Sequence, residues 1–458
     1  MFENVLQGIF SAAFLFSILR VTTPILLPSM GALLSDRAGV INIGLEGIML
    51  GSAFTGVYVS AKTQNVWIAF VAALVVAVLM ALLLGFFHLN LKGDLILSGI
   101  ALNVLGSAGT VTIMYELTGD RANTASLPSL QMPFVQLPEA IRNIPIVGRF
   151  IFETFDNQSI MTWIAFISVA FVWYFLYRTP IGMHLRAVGE NPEAAASVGI
   201  SVRRVRYLAL ILSGIFAGMG GIYMSMGYLT GFNRDMTAGR GFIALATPYL
   251  GGGHPLGTMI ASLVFGFFDA LGIRLGSLAI PHQLPEMIPF VATIMGLVIY
   301  ALQTKLTLRI RALRAAEGEG FDAMYWRVVK RLSVLHILMV MIAVIGILVS
   351  VTMFAAPNGF QGSDTAYPLA FAILAVSLIL IGVNLPFITH VERIGQQYRF
   401  SALAATLALG VYLAMFLTLF WPPVIAIVAG LVLGLGVWTL LGGVQLAQRS
   451  QRTVAIAA

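Results

Sequence analysis

Apolar runs of spanning length recur along the chain at 10–34, 40–61, 65–91, 94–117, 159–179, 207–229, 254–276, 284–304, 333–355, 367–388, 401–421 and 422–444. A bilayer core takes about 20 apolar residues per helix, so each run predicts one crossing. A shorter apolar piece, Phe242 to Leu250, stops at Gly251-Gly252-Gly253. It reads as a half-helix, which a membrane protein tolerates only where protein or a cavity covers the opened backbone. The pattern predicts an all-α, polytopic membrane helix bundle. It has about eight core segments with a re-entrant or broken helix, and about four further C-terminal transmembrane helices.

Composition agrees with lipid as the main solvent. Apolar residues make up 59% of the chain and charged residues 10%, against about 25% charged in an average soluble domain. The formal charge is +7, but the bases sit between apolar runs, where the positive-inside rule puts them. That distribution excludes a nucleic-acid footprint. It places the stretch with Arg178, Arg186, Arg203, Arg204 and Arg206 in the cytoplasm, together with Lys305 to Arg331 and the tail carrying Arg449 and Arg452. Counting back, the Thr118 to Gln158 loop is outside, Lys92 inside and the N-terminus outside. Between Arg206 and Lys305 the parity requires the Phe242 piece to be re-entrant and paired with the helix after His254. The start, MFENVLQGIF, has no basic region, so no cleavable signal peptide is expected.

Several chemistries fall away. The chain has no Cys, which excludes disulfides and thiolate sites. The six His are scattered without metal-ligand spacing, so no metal site is expected. Gly251-Gly252-Gly253-His254 lacks the GxxxxGK[ST] phosphate-loop pattern, and no such pattern occurs elsewhere. Energy for any pumping must therefore come from another chain or an ion gradient. No catalytic arrangement is legible.

Three polar residues interrupt apolar context. Asn42 and Glu46 are four apart and share a helix face. An intramembrane carboxylate faces the bundle interior, a cavity or a partner. The pair reads either as a solute-contacting segment or as a packing element whose Glu46 pairs with Arg37 or another helix. Asn103, in a helix of small residues, can bond a polar solute or cross-link two helices. On the cytoplasmic side, Asn191 can cap a short helix with Pro192 at its first position and Glu193 in its first turn. Gly199 can end it. Such a helix suits docking into a groove on another protein, and equally an ordinary capped loop. The external loop contains an amphipathic piece, PEAIRNIPIVGRFIFETF, suited to lie along the membrane surface. It reads as a docking surface or as interfacial cover.

The run RTPIGMHLRAVGENPEAAASVGISVRRVR resembles the coupling loop of inner-membrane permeases of ATP-binding cassette (ABC) importers for ribose-like sugars, branched-chain amino acids and nucleosides. RAGVINIGLEGIMLGSAF looks most like the nucleoside branch, and ALATPYLGGGHPLGTMIAS is similar to the family's glycine-rich break. The resemblance implies a multi-pass chain of the inner or plasma membrane that forms the path for a small polar solute, a nucleoside first and a simple sugar second. It implies no catalysis and no cofactor in this chain, with ATP and Mg bound by partner ATPase subunits. The other implied partners are a second permease chain and an extracytoplasmic solute-binding protein. Asn42, Glu46 and Asn103 would lie on the solute path. Glu190, Asn191, Pro192, Glu193, Ala194, Ala195 and Gly199 would couple to the ATPase. The domain division that follows is a permease domain at 1–305, a basic cytoplasmic linker at 306–332, and two added transmembrane hairpins at 333–458. The added hairpins suit lipid-facing packing, regulation or contact with a sister permease. The rival class is an ion-coupled secondary transporter using Glu46, Asp269 or Glu286.

The absence of Cys makes a clean topology test. In intact cells, an impermeant thiol reagent is expected to label Ser126→Cys in the external loop and to leave Ser197→Cys untouched until the membrane is opened. Labelling of Ser197→Cys from outside contradicts the orientation.

Overall fold

The computed structural model describes residues 12–276, except 140–141 and 143–147, and isolated helical positions from 289 to 381. The continuously described helices belong to one compact unit, Met1–Arg274 with Ile288–Thr293. The second unit is Leu275–Met287 with Ile294–Ala458, of which only isolated helical positions are described. The expected linker and hairpins, and Glu286, therefore lie outside the described residues, those isolated positions apart.

Helix α1 (Ala12–Arg37) is the central post, buried along most of its length despite Pro24 and Pro28 inside it. It ends in a Schellman turn: Gly39, at φ 69°, lets Val40 N–H reach Ser35 O at 3.1 Å and Gly39 N–H reach Asp36 O at 2.9 Å. The apolar run that suggests a span from residue 40 begins its helix only at Leu45, because this turn and the segment after it are not helical. Helix α2 (Leu45–Thr63) is buried without interruption from Leu45 to Phe54. It packs against α3 (Val66–Gly85, continued by a π-turn Phe86–Asn90) and α4 (Leu95–Thr118). Six helices among the described residues are long and apolar enough to cross a membrane, and α2 is not one of them. A helix sheathed by protein does not need a lipid-compatible surface, so its Gly, Ser and Thr are tolerated.

After α4 the chain forms a long loop, expected to be external, with structure of its own. Strand β1 (Phe134–Val135) pairs antiparallel with β2 (Gln158–Ser159), and α5 (Gly148–Phe155) lies between them in sequence. Helix α6 (Ile160–Arg178) follows, capped by the Ser159 side chain. The connection that follows α6 contains two helices where sequence pointed to one: α7 (Pro180–Glu190), capped by Thr179, and α8 (Pro192–Ser197), capped by Asn191. Helix α9 (Val202–Ile222, with a π-helical end Tyr223–Tyr228) runs along α1 and also packs on α2 and α3. A half-helix α10 (Arg240–Leu250) leans on α1, and α11 (Pro255–Gly276) leaves from the glycine turn.

Sequence spacing explains the tightest helix pair. Ala69, Ala73, Ala77 and Ala81 recur every fourth residue on α3 and are fully buried. Against Ala77 and Ala81, α9 sets Gly218 and Gly214, so the two backbones approach closely. The opposite face of α3 exposes Trp67, Val71, Val75 and Leu79, as lipid contact demands. Ala77→Leu is expected to lower stability by about 1–3 kcal/mol through overpacking. Leu79→Ala, at an exposed position, is expected to leave thermal unfolding of the purified protein nearly unchanged. Equal unfolding temperatures for the two variants contradict this packing.

Candidate functional site

Among the described residues, two breaks in the helices lie inside the bundle, and the polar residues predicted for a path gather there. At the first, between α1 and α2, the new helix opens with unbonded amide groups. Asn42 Oδ1 accepts from Gly44 N–H at 3.1 Å, and Asn42 Nδ2 donates to Ser213 Oγ at 3.0 Å. Asn103 reaches across from α4: its Oδ1 accepts from Gly47 N–H at 2.8 Å and its Nδ2 donates to Ile43 O at 2.9 Å. Both side chains are buried.

The second break precedes α10. The incoming segment is tied to the loop after α4 by Thr124 N–H to Phe232 O at 2.9 Å and Arg234 N–H to Ala122 O at 2.8 Å. Ser107 Oγ of α4 donates to Asp235 Oδ1 at 2.6 Å. Glu46, in the first turn of α2, closes the start of α10. Its Oε1 accepts from Thr237 Oγ1 at 2.6 Å and Gly239 N–H at 2.8 Å, and its Oε2 accepts from Gly241 N–H at 2.6 Å. Hydrogen bonds to a charged group contribute about 1.5–3 kcal/mol each, which offsets the cost of burying the carboxylate. Position 241 must be glycine here, since a Cβ would sit 2.6 Å from that Oε2. Next to it, Arg240 pairs with Asp269 of α11 at 2.8 Å. The three polar residues predicted for a path therefore converge on the start of α2, and each is bonded within the chain. Glu46 meets another helix and not Arg37.

At the α7–α8 end of the bundle, Asn191 Oδ1 accepts from Glu193 N–H at 3.1 Å and Ala194 N–H at 3.0 Å, which fixes the first turn of α8. Ala195 is buried, whereas Glu193, Ala194, Ala196, Ser197 and Val198 are exposed. Gly199 terminates the helix at φ 86°. Helix α7 ties this knob to the bundle: Leu185 and Val188 are buried, and a Cβ on Gly189 would collide with the Arg37 carbonyl at the end of α1. Arg37 in turn donates through Nε to Gly253 O at 2.9 Å, holding the glycine turn after α10. A second tie stacks Arg186 over Tyr177 at 4.8 Å, and Tyr177 against His254 at 5.5 Å.

Sequence reading did not find the partners Thr237, Gly241, Ser213 and Arg240, nor the Arg37–Gly253 contact. The run Thr237-Ala238-Gly239-Arg240-Gly241 in front of an apolar half-helix was the available signal. An apolar crevice of about 230 Å³ between α3 and α4, lined by residues such as Leu83, Phe87, Leu97 and Leu105, has Ser98 as its polar side chain. It offers a polar solute almost nothing to bond.

Comparison with known proteins matches residues 14–302 to the family described as the branched-chain amino acid transport system / permease component. The guanosine ABC transporter permease protein NupQ of Bacillus subtilis is 34% identical over 288 residues, covering 60% of this chain and 87% of the relative. The nucleoside ABC transporter permease protein NupC of Lactococcus lactis is 32% identical over 308 residues, covering 65% and 93%. The glucose ABC transporter permease protein TsgB13 of Haloferax volcanii is 26% identical over 328 residues, covering 68% and 81%. No solved structure matches.

Asn103→Leu keeps the branched outline but strands the Gly47 amide and the Ile43 carbonyl. Each buried unsatisfied group costs about 1–3 kcal/mol. The variant is expected to unfold at a clearly lower temperature than wild type in the same detergent, and unchanged unfolding contradicts the capping role.

Proposed function

This chain belongs to the permease-component family of branched-chain amino acid transport systems, and from that premise we propose that it forms the solute path of an ABC importer and passes the work of ATPase subunits to that path. It is a multi-pass membrane protein of the plasma membrane and a translocation subunit. The names of the relatives favour a nucleoside as solute, with a simple sugar second.

The observation that carries the coupling role is the construction of α8. A helix of six residues is stiff only if its ends are fixed, and here Asn191, Pro192 and Gly199 fix them. Five residues from Glu193 to Val198 face solvent, while Ala195 anchors the knob from beneath. Glu190, Asn191, Pro192, Glu193, Ala194, Ala195 and Gly199 form the part that an ATPase subunit grips in this reading. A push there reaches α1 through the backbone contact at Gly189, and α10 through Arg37. Helix α10 begins beside Glu46, next to the backbone that Asn42 and Asn103 hold. These three residues shape the path by fixing its walls.

The remaining partners in this reading are a second permease chain, a solute-binding protein at the external face, and ATPase subunits that bind ATP and Mg. An ion-coupled mechanism needs a carboxylate free to take up a proton or Na⁺. Glu46 holds three hydrogen bonds and Asp269 an ion pair, which favours the ATP-driven reading.

The double variant Glu193→Arg with Ala195→Trp tests the assignment. Insertion and ATP hydrolysis by the assembled complex are expected to persist. Uptake per ATP is expected to fall by about tenfold or more, the scale of losing one central interface contact. Normal coupled uptake in this variant contradicts the role given to α8.

A further inference from the structure

Helix α10 has 11 residues and is therefore about 16 Å long. The glycine turn just beyond its end is held by Arg37, on the side that the basic residues predict to be cytoplasmic. Its N-terminus accordingly opens about halfway across a hydrocarbon core of about 30 Å. A helix start carries free amides and roughly half a positive charge. In discontinuous transporter helices such an end faces the anionic group of the solute.

In this chain the position is already taken. Both Glu46 oxygens are engaged by Thr237, Gly239 and Gly241, and Glu46 is 9% exposed. The same carboxylate lies in the first turn of its own helix α2, so two helix starts meet on one anion. Arg240 does not compete for it, because its guanidinium is paired with Asp269. The missing Cβ of Gly241 leaves contact distance for the Glu46 carboxylate and no gap between them.

We infer that Glu46 is a built-in counter-anion, a positioning residue that seats the start of α10 and occupies the place where a charged solute group would bind. This deepens the permease reading and rests on it. The path is thereby matched to uncharged polar solutes, since a carboxylate or phosphate would meet a filled site.

Chemical rescue tests this on the complete complex. In proteoliposomes with ATP inside the compartment that the ATPase faces, Glu46→Ala is expected to lower guanosine uptake by about tenfold or more, the equivalent of one charge-assisted hydrogen bond. Sodium formate, a carboxylate small enough for the vacated place, is expected to restore uptake several-fold in Glu46→Ala and to leave wild type unchanged. Sodium chloride at equal ionic strength controls for salt. Glu46→Gln is expected to stay impaired, because an amide brings N–H groups where acceptors are needed. A second readout does not depend on transport: formate should raise the unfolding temperature of purified Glu46→Ala by several degrees and not that of wild type. No formate effect on Glu46→Ala by either readout, or wild-type uptake by Glu46→Gln, overturns the inference. Absence of ATP-driven guanosine uptake by the wild-type complex counts against the nucleoside reading, and the unfolding readout then decides the role of Glu46 alone.

Discussion

Inside a bilayer no water is available to bond an opened backbone, so every break in a helix must be satisfied by the chain itself. Among the described residues such breaks lie before α2 and before α10, and the buried polar residues Asn42, Glu46 and Asn103 gather around them. Asn42 and Asn103 bond the first; Glu46, with Thr237 donating to it, closes the second. Glu46 belongs to both, lying in the first turn of α2 while capping α10. Loss of that carboxylate would leave amides of the α10 start without a partner.

The same constraint gives the structure its mechanical character. Broken helices can be re-aimed more readily than continuous ones, because the φ/ψ change is confined to a few residues. Here the half-helix α10 is gripped at both ends: by Glu46 at its start, and by Arg37 at the glycine turn beyond its end. Arg37 stands directly against the end of α7, where Gly189 admits its carbonyl. A contiguous series of contacts therefore runs from the exposed knob at α8 to the polar centre. The stack of Arg186, Tyr177 and His254 runs beside it.

Much of the fold was legible in sequence, because lipid imposes a strong length rule. The half-helix ending at Gly251 was legible from a short apolar run and three glycines. The cap of α8 was legible because Asn191-Pro192-Glu193 carries its geometry locally. What stayed hidden were contacts between residues far apart in the chain. Glu46 was visible as an isolated acid, but its partners are about 190 residues away, and nothing in the spacing indicates that a helix start comes to meet it. Helix α7 was missed because Pro180 to Glu190 carries charges and glycines that blur its periodicity, although Thr179-Pro180 offered a cap. The α2 boundary shifted because the turn at Gly39 and the caps that follow it use up the first residues of the apolar run.

The functional account stands on one claim, that α8 is held by an ATP-hydrolysing partner on the cytoplasmic side. A photo-crosslinking amino acid placed at Ser197, on the exposed face of α8, tests it in native membranes. The account predicts one dominant adduct, to an ABC ATPase subunit, with a yield that changes when nucleotide is trapped by vanadate. Adducts only to lipid, or to proteins at the opposite face of the membrane, would contradict it.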